Sequence, residues 1–250
     1  MCYLILVQII NRINNLIELY KKGELGGEIM PEDANPNLDK ASSENLLYFT
    51  LPMALNYQRN SYKLWESALA TWNDDETRLV FSPKAVLLMS DNELKQKLIK
   101  YKLALQPNKQ PIIWKTLCQT IVENFNGDLK NLFIQNTGNI AKIKEYILSN
   151  KKKFPYLSGS KIVNYWLYVV STYTNIHLTN RDSITIAPDT HVLQASVKLG
   201  ILDETELTKS NIRDIVSQRW SKILEGTELL PIDLHTPFWL WSRSGFKIEI

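Results

Sequence analysis

The stretch FPYLSGSKIVNYW, Phe154 to Trp166, decides the fold. It sets a tight turn, Leu157-Ser158-Gly159-Ser160, directly before a lysine and an apolar run. Upstream, Ile140, Ile143, Ile147 and Leu148 recur at helical spacing. The segment therefore reads as helix, turn, helix. Such a turn exposes backbone N–H groups at the start of the second helix, an anion site suited to a nucleic-acid phosphate. Lys161 falls in the first turn of that helix. The positive helix end and the apolar surroundings both favour its neutral amine, the form that attacks carbon. Further on, IAPDTHV places Asp189 at the cap of another helix, followed by Thr190 and His191. A lysine at one helix start and a carboxylate at another make a candidate chemical pair.

Working outward, helical periodicity runs through most of the 250 residues, and only nine are glycine. The expected class is all-α. Hydrophobic content of 44% and charged content of 22% suit a folded domain or two closely packed ones. A net charge of +3 permits contact with nucleic acid without arguing for it. The two cysteines, Cys2 and Cys118, exclude a four-cysteine cluster and a disulfide framework, and point to a reducing compartment. His177, His191 and His235 lack metal-ligand spacing, so no metal and no cofactor is expected. The N-terminal run MCYLILVQII is too short to span a bilayer and reads as the start of an amphipathic core helix through Lys22.

Gly23 to Lys40, with Gly26-Gly27, Pro31 and Pro36, reads as a surface connection. ENLLYFTLPMALNYQ reads as a central helix, capped by Ser42 or Ser43 and kinked at Pro52. It changes character at Asn56-Tyr57-Gln58-Arg59-Asn60, a polar tip after a buried helix, where sites often sit. Ser61 to Trp72 is the next helix, with Leu64, Trp65, Ala68 and Leu69 on one face. Ser183 to Ile186 is the best short strand candidate. Pro231 to Ser244 is an aromatic-rich final helix. Trp72, Trp114, Trp166 and Trp220 are read as packing residues. Lys142, Lys144 and Lys151 to Lys153 form a basic surface leading into the turn.

LSGSK followed by a helix and then APDTHV resembles the helix-hairpin-helix (HhH-GPD) DNA glycosylase superfamily. Lys161 and Asp189 fall on its catalytic positions, and Gly159 matches its second hairpin glycine. Leu157 stands where the first would be. The missing cysteine cluster sets the chain apart from the endonuclease III and adenine glycosylase branches. The archaeal 8-oxoguanine glycosylase group (AGOG) is the most similar. There, Trp65, Tyr165 and Trp239 match pocket aromatics, and His235 occupies the position of a base-holding aspartate. An imidazole does not offer a carboxylate's acceptors.

The resemblance implies two helical subdomains with a DNA cleft between them, one formed by residues 43–173 and the other by 1–42 with 174–250. It implies base excision from double-stranded DNA containing a damaged base, 8-oxoguanine first, with AP-lyase activity. Gln58, Arg59 and Asn60 would enter the duplex or hold its opposite strand. Ser158, Gly159, Ser160 and His191 would contact phosphates. It further implies a cytoplasmic, nucleoid-associated prokaryotic monomer with no membrane partner. Two alternatives stay open: a glycosylase of the same fold for an alkylated purine or deaminated pyrimidine, and a non-catalytic DNA-binding module that keeps the hairpin.

Overall fold

The computed structural model describes residues 3–25, 30–186 and 188–250, and for Tyr3 and Ser160 the backbone only. Among them are thirteen α-helices. They are α1 Tyr3–Lys21, α2 Ser43–Tyr48, α3 Ser61–Asn73, α4 Asp75–Arg78, α5 Pro83–Leu88, α6 Asp91–Lys100 and α7 Gln110–Phe125. Then follow α8 Lys130–Gln135, α9 Ile140–Ser149, α10 Ser160–Tyr173, α11 Thr190–Lys198, α12 Ile212–Ile223 and α13 His235–Arg243. No strand occurs among the described residues; the β pairing is one parallel bridge, Asn139 to Thr179. The expected strand over 183–186 is instead the end of a 3-10 turn, Arg181–Ser183, a bend at Ile184 and irregular backbone. No described helix is long and apolar enough to cross a membrane.

The chain divides into two compact units, Met1–Glu28 with Arg181–Ile250, and Ile29–Asn180. The sequence reading drew these divisions at 42/43 and 173/174.

The Ile29–Asn180 unit is built on aromatic packing. Tyr48 stacks on Phe81 at 5.5 Å, and Phe81 meets Trp114 edge-on at the same distance. The buried indoles keep their N–H groups satisfied: Trp114 donates to the Val80 carbonyl (2.8 Å) and Trp166 to the Thr50 hydroxyl (3.0 Å). Burying each such ring contributes on the order of 1.5–3 kcal/mol. Helix starts are set by side chains that take an orphan N–H. Ser42 caps α2, Asn60 α3, Ser82 α5, Ser90 α6 and Asn139 α9. The expected single helix across Pro52 is two pieces. α2 stops at Tyr48, the residue whose carbonyl a proline four positions later would strike, and Pro52 opens a 3-10 turn, Pro52–Leu55.

The expected surface connection over 23–40 is largely fixed. Leu25, Pro31 and Glu32 are buried. Pro31 starts a 3-10 turn, and the Asp33 carboxylate accepts the Met30 N–H at 2.9 Å. Gly26 and Gly27, the glycine pair of that reading, lie outside the described residues.

In the other unit α11 packs mainly on α13. Trp220 of α12 meets Phe238 at 5.0 Å and donates to the Ser196 hydroxyl at 2.9 Å. Arg219 grips Glu206 through two N–H groups, at 2.8 and 2.9 Å. α1 buries Ile9, Ile13, Leu16 and Ile17 on one face, as its periodicity predicts.

Candidate active site

Helices α9 and α10 are joined by a turn whose backbone closes on itself. Ser158 N–H donates to the Phe154 carbonyl (3.0 Å), and Gly159 N–H to that of Tyr156 (3.0 Å). Phe154 and Leu157 are buried and anchor it. The left-handed residue is Tyr156 (φ 62°), one position before Leu157. Leu157 therefore needs no glycine-like conformation and serves as the buried foot of the turn. Gly159 has an ordinary extended φ of −63°, and its role is spatial: a Cβ there would lie 3.2 Å from the Tyr156 carbonyl oxygen. Gly159 caps α10 without a side chain, so the first N–H groups of the helix face outward. Lys161 stands exposed in that first turn, not in the apolar surroundings expected to favour its neutral amine. The Ser160 side chain is outside the described residues. The Lys144 ammonium of α9 donates to the side-chain Oδ1 of Asn164 on α10 at 2.9 Å, bracing the two helices, and its half-burial lowers its pKa.

One turn beyond Lys161, the Tyr165 hydroxyl donates to Oε1 of Glu32 at 2.7 Å. The Trp65 indole N–H donates to the same oxygen at 2.9 Å. Two residues the sequence assigned to one pocket thus converge on a third that it passed over. Glu32 is 1% exposed, and burial pushes its pKa up to about 7 against the hydrogen bond from Tyr165. Both donors take Oε1. Tyr165 is shifted well above the usual tyrosine range, first by burial and then by Glu32. Trp65 itself has no exposed surface and packs on Tyr48 and Phe49, so it backs Glu32 from the core side.

The polar tip divides its duties. Asn60 caps α3 through the Lys63 N–H. The Arg59 guanidinium donates to the carbonyls of Leu103 (2.8 Å) and Lys102 (3.2 Å), and burial lowers its pKa. Of the three residues expected on DNA, these two also serve the fold. Gln58 is exposed, with a left-handed φ of 50°.

In the other unit Asp189 caps α11, with Oδ1 accepting the N–H groups of His191 and Val192, each at 2.9 Å. Ala187, the start of the APDTHV match, lies outside the described residues. The Ser242 hydroxyl donates to Gln194 Oε1 at 2.6 Å and lies 3.2 Å from His191 Nδ1. The His191 ring meets Trp239 edge-on at 5.5 Å, and the Arg243 guanidinium lies 5.5 Å from the Trp239 centroid. His235 and Trp239 share α13, one turn apart, at 3% and 7% exposure. The described residues hold no cluster of metal-ligating side chains.

Glu32 was missed because an acid in a short turn between Pro31 and Asp33 carries no period and no motif. The only local signal was Pro31 with Asp33, a turn starter and its cap.

No family model matches the chain, and no curated protein matches it. Among solved structures, the chain is similar to endonuclease III captured as a trapped covalent intermediate with DNA, in an estranged-adenine complex. Identity is 17% and the TM-score 0.56, over 98% of this chain and 89% of that one. The likeness establishes the all-helical architecture of endonuclease III for this chain.

Proposed function

We propose that this protein is a base-excision DNA glycosylase with AP-lyase activity, acting through a Schiff base on Lys161. The observation that carries it is the position of Lys161: the first turn of α10, directly behind a closed hairpin, in a chain with the endonuclease III architecture. The damaged nucleotide leaves the stack, because its sugar is out of reach inside a duplex. The neutral Lys161 amine attacks C1′, and the glycosidic C–N bond breaks as the base departs with the electron pair and takes up a proton. The Asp189 carboxylate stabilises the cation-like sugar. Ring opening gives the C1′=N Schiff base, loss of a C2′ proton follows, and the 3′ phosphate is eliminated, nicking the strand.

An oxidised purine, 8-oxoguanine first, is the preferred substrate through the likeness of Tyr165 and Trp239 to pocket aromatics of the archaeal group; Trp65, with no exposed surface, does not touch a base. The second reading is a different damaged base, favoured by His235 at the position of the expected aspartate. The test is borohydride trapping on duplexes carrying a panel of lesions. An adduct that disappears in Lys161→Gln supports the lyase. Base release without an adduct supports a monofunctional enzyme. Binding without base release sinks the catalytic reading.

A further inference from the structure

Three segments distant in sequence are tied together on the surface of the Ile29–Asn180 unit. Arg59 links residues 56–60 to the 102–103 backbone through its two carbonyl bonds. Tyr57 and Tyr156 bring the tip against the hairpin, with ring centroids 5.4 Å apart at 52°. The Lys109 ammonium sits 5.0 Å from the Tyr156 centroid. Tyr57 nevertheless stays 49% exposed. Gln58 and Tyr156 both hold left-handed backbones without being glycine, a strained state that persists only where its surroundings impose it. Segments 56–60, 102–109 and 151–160 together contain Arg59, Lys102, Lys109 and Lys151 to Lys153, and not one acid.

We propose that Tyr57, Tyr156 and Lys109 form a stacking platform for an unpaired nucleobase of DNA, the one left without a partner when its mate is extruded. The inference rests on the glycosylase reading and adds what receives the other strand. A base presents a π-face to an aromatic ring whatever its sequence, and its flanking phosphates match the lysines of these segments. The lysine beside Tyr156 supplies both a cation for the ring and one for a phosphate.

The test uses the full chain and a duplex with a tetrahydrofuran abasic analogue opposite 2-aminopurine. Wild-type protein should quench the probe and bind this duplex more tightly than a fully paired one. Tyr57→Ala should remove the quenching and weaken binding to the abasic duplex roughly tenfold, the scale of one base–aromatic stack. Tyr57→Phe should keep both. Lys109→Gln should lower the slope of log affinity against log salt by about one, independently of Tyr57. Quenching that survives Tyr57→Ala overturns the platform, as does an equal loss on both duplexes. The glycosylase reading is judged separately, by trapping with wild-type protein. An adduct without Tyr57-dependent quenching removes the platform alone. Tyr57-dependent quenching without an adduct on any lesion keeps the platform and removes the lyase.

Discussion

The Tyr165 hydroxyl donates to Glu32 Oε1 at 2.7 Å, across 133 residues of sequence. Burial raises the Glu32 pKa from 4.5 to about 7, so the folded chain keeps a proton that the unfolded chain has released. The stability contributed by this group is therefore full below about pH 4.5 and is lost as pH rises through about 7. The loss amounts to about 3 kcal/mol in all. Glu32→Gln, which still offers an oxygen to Tyr165 and Trp65, should match wild type near pH 4.5 and exceed it at pH 8. Urea unfolding of both proteins across that range checks it; parallel curves would refute it.

Glu32→Ala should behave oppositely. It strands the Trp65 N–H and the Tyr165 hydroxyl in a site with 1% exposure at its centre. A cost of about 2–5 kcal/mol is expected near pH 4.5, from two unmade hydrogen bonds and a cavity, and it should shrink as pH rises through about 7, where wild type itself loses the Glu32 contribution. Thermal melts at two pH values would show it.

Asp189 serves both a helix cap and the proposed chemistry, and two substitutions separate these roles. Asp189→Asn keeps an oxygen for the His191 and Val192 N–H groups and should hold stability close to wild type while lesion processing falls. Asp189→Ala should also lose about 1 kcal/mol of stability. Equal lesion processing in wild type and Asp189→Asn would confine Asp189 to capping.

At the polar tip, Gln58→Ala should leave the melting temperature unchanged, because the side chain is exposed. Arg59→Ala should cost about 1–3 kcal/mol, the scale of hydrogen bonds from a charged group to carbonyls. Arg59→Lys should not restore it, since one ammonium cannot reproduce the planar fork on Leu103 and Lys102. Denaturant midpoints decide the matter, and a melting temperature lowered as much by Gln58→Ala as by Arg59→Ala would reverse the assignment.

Gly159→Ala places a methyl 3.2 Å from the Tyr156 carbonyl oxygen, on the hairpin that presents the start of α10. Either the turn opens or the helix start shifts. Affinity for duplex DNA should drop more than stability does, as binding isotherms beside melts would show.

The local elements were readable because their physics is local. The hairpin, the first-turn lysine and the Asp189 cap each follow from a few adjacent residues, and the structure has all three. The helix boundary at Pro52 was misjudged because an apolar run hides where a proline's ring strikes the preceding turn. Glu32 was invisible for a different reason. Its burial is created by Trp65 and Tyr165, which no spacing in the sequence connects to it. Likewise the Arg59 bonds to the carbonyls of Lys102 and Leu103 join segments that no spacing connects.

The tie between Glu32 and α10 also sets an order of assembly. Tyr165 holds Glu32, Tyr173 holds Asp33 at 2.9 Å, and Asn45 donates to the Tyr173 carbonyl at 2.9 Å. Both tyrosines lie on the last helix of the Ile29–Asn180 unit. Trp65 reaches Glu32 from 33 residues on, but the two hydroxyls come from 133 and 140 residues on. A chain stopped at residue 159 therefore lacks both hydroxyls at once. The opening turn of this unit is among the first pieces made and among the last to gain all its partners.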